Sequence, residues 1–537
     1  MRRKFLINIL FLLTVSILVK AFWVLGIDRT VQNVVGETAY GNYFSLFSFS
    51  VLFTLLLDMG LSGFNNRAVS ADPSRVRLYF GNVLLLRLML TVAYFIVTLT
   101  VAFALGYERH QYAMLLVLML NQMMASMILW LRSNISGMQY LFLDSLLSVA
   151  DRLVMIIICS VLLWGGIAGG AFSIKGFIWA QTAAYFTVMC AAFIIVVRRG
   201  GVSGLRPDAA VLKSIIVTGL PYAAVVFSMT LYWRTDSVMI ERLLPDGATE
   251  AGNYAQAFRL FDALAMIPMM FGGLLLPIMT RGLASGGNIR PLASMAGRML
   301  LVPMGIGAVT LATFPGEILG LLYPVPAAAA TVAFRLLMVT LVPVGAIFIY
   351  STMLTAAGRL RLLGAITGSG MVINIVLNRI LIPEYGSVGA ATTALITQML
   401  VAAACVVAVR RSTTASGVTV PPAVGKSTNG SASAGKPVTG VAIGRAVTGV
   451  AGNGSAVPGF PGTGTTISWL KGSGRVMAYI LMLLLTFLAG WLLRGTGLSW
   501  WAAAAMQMAA GLLLALLFRF TEPLKSLKLL TERPGSV

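Results

Sequence analysis

Charged side chains stand in or at the edge of stretches that are otherwise apolar, among them Lys20, Arg87, Arg152, Arg259, Arg335 and Arg379, with Asp58, Asp151, Asp236 and Asp262. A charge at membrane depth costs about 2.5–3.5 kcal/mol or more, so each marks a candidate task. The arginine fork matches the oxygens of a phosphate or pyrophosphate. Lys20 and Arg87 from the first half of the chain, with Arg259 and Arg335 from the second, would give a cleft for a strongly anionic head group. Arg379 is a fifth candidate. Asp58 in LLLDMGL and Asp236 in RTDSVMI, with Asp262, are candidates for coupling to H+ or Na+, because a buried carboxylate changes charge on binding either ion.

Each of these groups has a plainer reading. The four cleft cations lie about 6–12 Å from the nearest expected interface at 1.5 Å per residue, within reach of snorkelling side chains. Asp262 follows Arg259 by three positions, so the two could pair on one helix face. Asp58 and Asp236 could be structural partners of Arg67 and Arg234. Asn374 and Asn378, spaced i,i+4, read as hydrogen-bonding glue between helices, with sugar contact second. Other chemistry is poorly served. The three cysteines (Cys159, Cys190, Cys405) are far apart in apolar runs, and His110 is the single histidine. These assemble neither a zinc site nor a Cys/His dyad, and the expectation is a non-enzyme without a cofactor.

The elements that must position these groups follow from composition. The chain is 58% hydrophobic and 10% charged, with a mean hydropathy of +0.89. A soluble domain carries roughly 25% charged residues, so this is an all-α integral membrane protein. Runs of about 20 apolar residues predict about fourteen spans. They fall near 5–27, 42–64, 79–105, 110–131, 145–165, 171–197 and 211–235, then 254–280, 292–314, 328–356, 361–382, 386–409, 476–494 and 498–519. The basic start followed by an apolar run reads as an uncleaved first helix, since Lys20 interrupts the run and no small-residue cleavage site follows.

With the N-terminus inside, about 27 of the 39 basic residues fall in inside segments and about 6 in outside loops. The net charge of +22 is thus largely topology, with both termini cytoplasmic, and nucleic acid is not an expected partner. Residues 410–475 are rich in Gly, Ser, Thr, Ala and Pro, with VTGVA at both 438–442 and 447–451. They read as a flexible cytoplasmic linker to two appended helices within 476–519, followed by a cytoplasmic tail, 520–537.

One short pattern occurs twice. GETAYGNY at 36–43 and GATEAGNY at 247–254 agree at Gly, Thr, Gly, Asn and Tyr. Both fall in expected outside loops, before spans 2 and 8, although convergent helix-start chemistry would produce similar letters. The matching places favour two six-helix bundles, 1–197 and 211–409, with the same orientation. That is a parallel repeat, with a central cleft and alternating access by rocking. Pro221, Pro268, Pro277, Pro303 and Pro343 supply helix breakers suited to such motion.

Three stretches resemble a known family. YGNYFSLFSFSVLFTLLLDMGLSGFNNRAVS (40–70), GLPYAAVVFSMTLYWRTDSVMIERLL (219–244) and INIVLNRILIPEYGSVGAATTALITQ (373–398) are similar, in order, to helix 2, helix 7 and the helix 11–12 hairpin of the polysaccharide transporter family. The resemblance implies the fold of the multidrug/oligosaccharidyl-lipid/polysaccharide exporter superfamily, shared with multidrug (MATE) transporters and lipid II flippases. It also implies a cargo: a polyprenyl-pyrophosphate-linked oligosaccharide carried across a bacterial inner membrane for surface polysaccharide or lipopolysaccharide synthesis. Membrane lipids and other membrane proteins of polysaccharide assembly are the implied partners. Two alternatives remain at this level: a cation-coupled drug exporter of the same fold, and a membrane glycosyltransferase or polymerase. The last would place acidic groups on a substantial outer loop, whereas the long loop here is the 410–475 segment, which has no acidic residue.

Overall fold

The computed structural model describes residues 18–414 and 473–518, apart from 63–64, 66–68, 71, 73–74, 166–171, 201–208, 285–288, 325 and 497. Helix α1 covers 18–35, with Trp23–Asp28 wound as a π-helix and Arg29–Val35 as an α-helix. After Gly36, at φ 84°, come α2 (Glu37–Leu52) and the single turn α3 (Leu55–Asp58). The first half continues with α4 (Arg75–Ala104), α5 (Arg109–Gly137), α6 (Leu141–Trp164) and α7 (Ile174–Gly200). The second half holds α8 (Ala209–Leu243), α9 (Gly247–Ala284), α10 (Arg290–Thr313), the short α11 (Pro315–Leu322), α12 (Ala328–Ala356) and α13 (Leu360–Thr414). Last come α14 (Ser473–Arg494) and α15 (Trp500–Leu517).

Among the described residues no strand occurs, and ten helices are long and apolar enough to cross a membrane, with α13 counted once. That helix is really a hairpin. Gly386, at φ 55° and ψ −133°, interrupts it, and a Cβ on Gly370 would touch Val401 across the turn. The expected pair of spans at 361–382 and 386–409 is therefore present, with its second arm running on to Thr414. Of the linker expected over 410–475, the last three positions belong to α14 and 415–472 fall outside the described residues, as do the first part of span 1 and the tail.

Span 2 differs from expectation. Its helix begins at Glu37 rather than near 42, and breaks at Phe53–Thr54 and again at Met59–Gly60. Met59 has φ 42°, a left-handed conformation rare without glycine, and Gly60 has φ 83°. A break at membrane depth frees backbone groups that only protein can satisfy. Arg87 of α4 satisfies one of them, the Leu57 carbonyl, and also donates to the Asp58 carboxylate and the Ser62 hydroxyl.

Among the described residues, the buried apolar side chains form one core shared by the halves and further clusters private to each. The shared core joins Ile27, Tyr40, Phe44 and Leu115 of the first half to Tyr254, Phe258 and Phe334 of the second. A private cluster around Phe80, Trp130 and Ile135 draws on the first half alone. Another, around Met279, Tyr350 and Cys405, draws on the second. The private clusters use the helix ends remote from residues 36–43 and 247–254. The halves thus meet at the end carrying the duplicated pattern and are built separately at the other. Helices α14 and α15 pack outside this pair, against α10 at Val302 and Ile306. Small residues allow that approach: Gly305 lies under Tyr479, and Gly511 lies against Ile306 and Thr486.

Candidate functional site: the joint between the two halves

The two GNY copies are not loops. Each is the polar opening of a long helix, α2 or α9, and the two helix starts lie against each other. Hydropathy places a helix where its apolar run begins, which leaves the polar first turns to the connection. Their side chains are satisfied across the joint instead; Gly36 ends the preceding helix at φ 84°, its N–H on the Gln32 carbonyl, but no side chain caps the helix that follows. The Thr38 and Thr249 hydroxyls hydrogen-bond each other at 2.8 Å. Gln32 donates to the Gly252 carbonyl at 2.9 Å, and Gln256 to the Glu37 carboxylate at 3.1 Å. Gly41 and Gly252 make the contact possible: a Cβ on Gly41 would run into the Ala248 carbonyl oxygen, and one on Gly252 into that of Glu37.

A bridge from α5 extends this joint. The Gln111 amide nitrogen donates to Asn42 at 3.2 Å and to Glu241 at 3.0 Å, while its oxygen accepts from Arg242 at 3.0 Å. Arg242 lies over the Tyr107 ring, 3.5 Å from its centroid. Ser237 donates to Ser48 at 3.0 Å.

Deeper in the joint lies a charged triad. Arg259 Nε on α9 is 3.0 Å from the Asp28 carboxylate and donates to the Tyr40 hydroxyl at 2.9 Å. Tyr40 in turn donates to Asp28 at 2.8 Å. The guanidinium lies 4.9–5.8 Å from the ring centroids of Tyr40, Phe44 and Phe47, a cation–π enclosure. Asp28 Oδ1 and Arg259 Nη2 have no hydrogen-bond partner, so the triad retains one acceptor and one donor nitrogen for something else. Asp28 was missed by the sequence reading because span 1 was closed at residue 27. The helix runs to Val35, and a longer window would have brought Asp28 in.

Beside the joint, Asp236 is 1% exposed. Its Oδ1 accepts from Asn378 at 2.7 Å and Asn374 at 3.3 Å, and its Oδ2 from Tyr254 at 3.1 Å. All three donors are neutral, and Tyr254 is the last residue of the second GNY copy. The expected partnership with Arg234 does not form. Arg234 instead binds Asp262 at 3.0 Å, which also accepts from Trp233 at 3.0 Å. The expected Arg259–Asp262 pairing is likewise replaced, because Asp262 is drawn to α8 and Arg259 to α1 and α2. Asn374 and Asn378 do link helices, as their spacing predicts.

Comparison with known proteins fits this architecture. Residues 5–283 match the model of a family described as polysaccharide biosynthesis protein. The chain belongs to that family. No curated protein matches its sequence. Among solved structures, it is similar to the lipid II flippase MurJ in an inward closed conformation, at 12% identity and a TM-score of 0.62. That match covers 96% of this chain and 98% of that one. It is also similar to an inward-facing multidrug resistance MATE family transporter, at 15% identity and a TM-score of 0.56, over 73% of this chain and 94% of that one. A transporter of the same superfamily from Pyrococcus furiosus gives 16% identity and a TM-score of 0.51, over 75% and 92%. At these identities the likeness shows the fold: that of the exporter superfamily, in a multi-pass membrane protein.

In this family member the remaining charges divide by surroundings. Arg87 is 1% exposed, 5.6 Å from the Trp130 ring centroid, and bonded to Asp58 and Ser126. Its charge is paired with Asp58 at the helix break. Asp58 pairs with Arg87; Arg67, its expected partner, lies outside the described residues. Lys20 is half-buried, in the field of Arg152, Asp151 and Arg132. Arg152 lies 3.8 Å from Asp151 and 5.4 Å from the Trp23 ring centroid, and its field reaches Arg259. Lys20, Arg152 and Arg259 thus form one basic neighbourhood, in which the sequence reading gave Arg152 no role. Arg379 stands on an exposed apolar stripe with Val372, Val376 and Ile380, the surroundings of a snorkelling side chain. Arg335 is exposed on the same face of α12 as Val332, separate from the triad's enclosure.

Proposed function

We propose that the protein is a flippase that carries a polyprenyl-pyrophosphate-linked oligosaccharide from the cytoplasmic to the periplasmic leaflet of a bacterial inner membrane. The observation that carries this reading is the Asp28–Arg259–Tyr40 triad at the joint of the two halves. A joint that must open and close would be served by an ion pair whose cation can exchange one anion for another. On the charge reading the GNY end faces outward, so the conformation described is closed outside. A pyrophosphate reaching the joint from the cytoplasmic side through Lys20 and Arg152 would compete with Asp28 for Arg259 and loosen the outer contact. Asp236, enclosed by neutral donors, serves as the H+ or Na+ coupling site in this scheme. The apolar tail travels in lipid beside the protein.

A drug exporter of the same fold is the second reading, favoured by the buried carboxylate of Asp236. Deleting the chain in its host separates the two. The flippase reading expects lipid-linked sugars to accumulate in the cytoplasmic leaflet, with loss of surface polysaccharide. Normal polysaccharide together with raised drug sensitivity would sink it.

A further inference from the structure

The short helix α11 is held at its two ends by two different parts of the protein. At its first turn, Glu317 accepts from Arg494, the last residue of α14, at 2.5 Å. The Arg494 guanidinium also lies 5.6 Å from the centroid of the buried Phe314 ring just before α11. At its other end the last carbonyls point to the first half. Leu322 O accepts from Arg29 Nε and, at 3.0 Å, from Asn33, and Leu321 O accepts from Arg29 Nη2 at 3.4 Å. An acidic group at the N-terminus and a cation at the C-terminus both complement a helix dipole, so α11 is suited to being gripped this way.

The grip reaches the triad. Arg29 and Asn33 lie on α1 directly after Asp28. Tyr323, directly after α11, is 3% exposed. Burial pushes its hydroxyl well above the ordinary tyrosine range, with Asp28 adding to the rise and Arg259 and Arg29 opposing it. A continuous set of contacts therefore runs from α14 through Glu317 and α11 to Arg29 and the Asp28–Arg259 pair. If the halves separate at the GNY end, Arg29 must release α11, or α11 must leave α14.

We infer that the appended helix pair, through Arg494 and Glu317, holds α11 as a latch on the first half. Arg494 is then a positioning residue for closure of the joint. This rests on the reading that the joint opens during transport.

The test uses the full chain in membranes, with its three cysteines replaced by alanine and the pair Thr38→Cys/Thr249→Cys introduced. The rate of disulfide formation reports how often the joint is closed. Arg494→Ala and Glu317→Gln are each expected to slow it several-fold. The double variant should be no slower than either single, because both remove one contact. The charge swap Arg494→Glu/Glu317→Arg is expected to restore the rate in part, because it re-forms the pair but sets a cation at the α11 N-terminus. Tyr479→Phe, which loosens α14 from the Leu301 carbonyl without touching α11, is expected to leave it unchanged. An unaltered rate in Arg494→Ala, or an equal fall in Tyr479→Phe, overturns the latch. Arg259→Gln serves as a reference: if it slows the disulfide and Arg494→Ala does not, the latch alone fails. If neither does, the opening joint fails and the latch with it.

Discussion

Arg259→Gln is expected to reduce transport at least about ten-fold and to lower stability as well. Removing one member of a buried ion pair generally costs about 3–5 kcal/mol, because the other charge is left without compensation. Here the stranded group would be Asp28, 3% exposed, with only the Tyr40 hydroxyl remaining. The double variant Asp28→Asn/Arg259→Gln separates packing from function. Both charges are gone, so the thermal midpoint should recover toward that of the parent while transport stays low, since no cation remains for the pyrophosphate. Thermal unfolding and leaflet-resolved sugar analysis measure the two effects. Parental transport in the double variant would assign the triad to structure alone.

Asp236→Asn is expected to abolish ion-driven transport without harming the fold. Its carboxylate is enclosed by Asn374, Asn378 and Tyr254, donors that satisfy a charge without neutralising it. A group in such a place gains from binding a proton or a cation. Asparagine fills nearly the same volume and removes the charge, so stability should hold or rise. In vesicles with an imposed proton or sodium gradient, the parent's rate should follow one of the two. The variant's rate should follow neither. A variant that retains the parent's full response would exclude Asp236 from coupling.

Much of the fold was legible because its signals are local. Apolar length found the helices, including the two arms of the α13 hairpin, which meet at Gly386. The i,i+4 spacing put Asn374 and Asn378 on one face, where both reach Asp236. The misreadings arose where the deciding contact comes from another helix. The partner of the break at Met59–Gly60 is Arg87, about thirty positions away, and no window over span 2 contains it. Arg259 and Asp262 are three residues apart, yet each is claimed by a different neighbour. The duplicated pattern revealed two equivalent places in the chain. That those places touch, through Thr38 with Thr249 and Gly41 with Gly252, is a tertiary fact.

The same touching residues offer the most direct measurement. With the native cysteines replaced, thiols at 38 and 249 would start from hydroxyls 2.8 Å apart, a small shift from the roughly 2.05 Å of a disulfide. The leaflet location of lipid-linked oligosaccharide would be followed in spheroplasts with an impermeant sugar-binding probe, under oxidant and then reductant. Alternating access at this joint predicts that oxidation stops delivery to the outer leaflet and that reductant restores it. Continued delivery at the parental rate with the disulfide fully formed would contradict it.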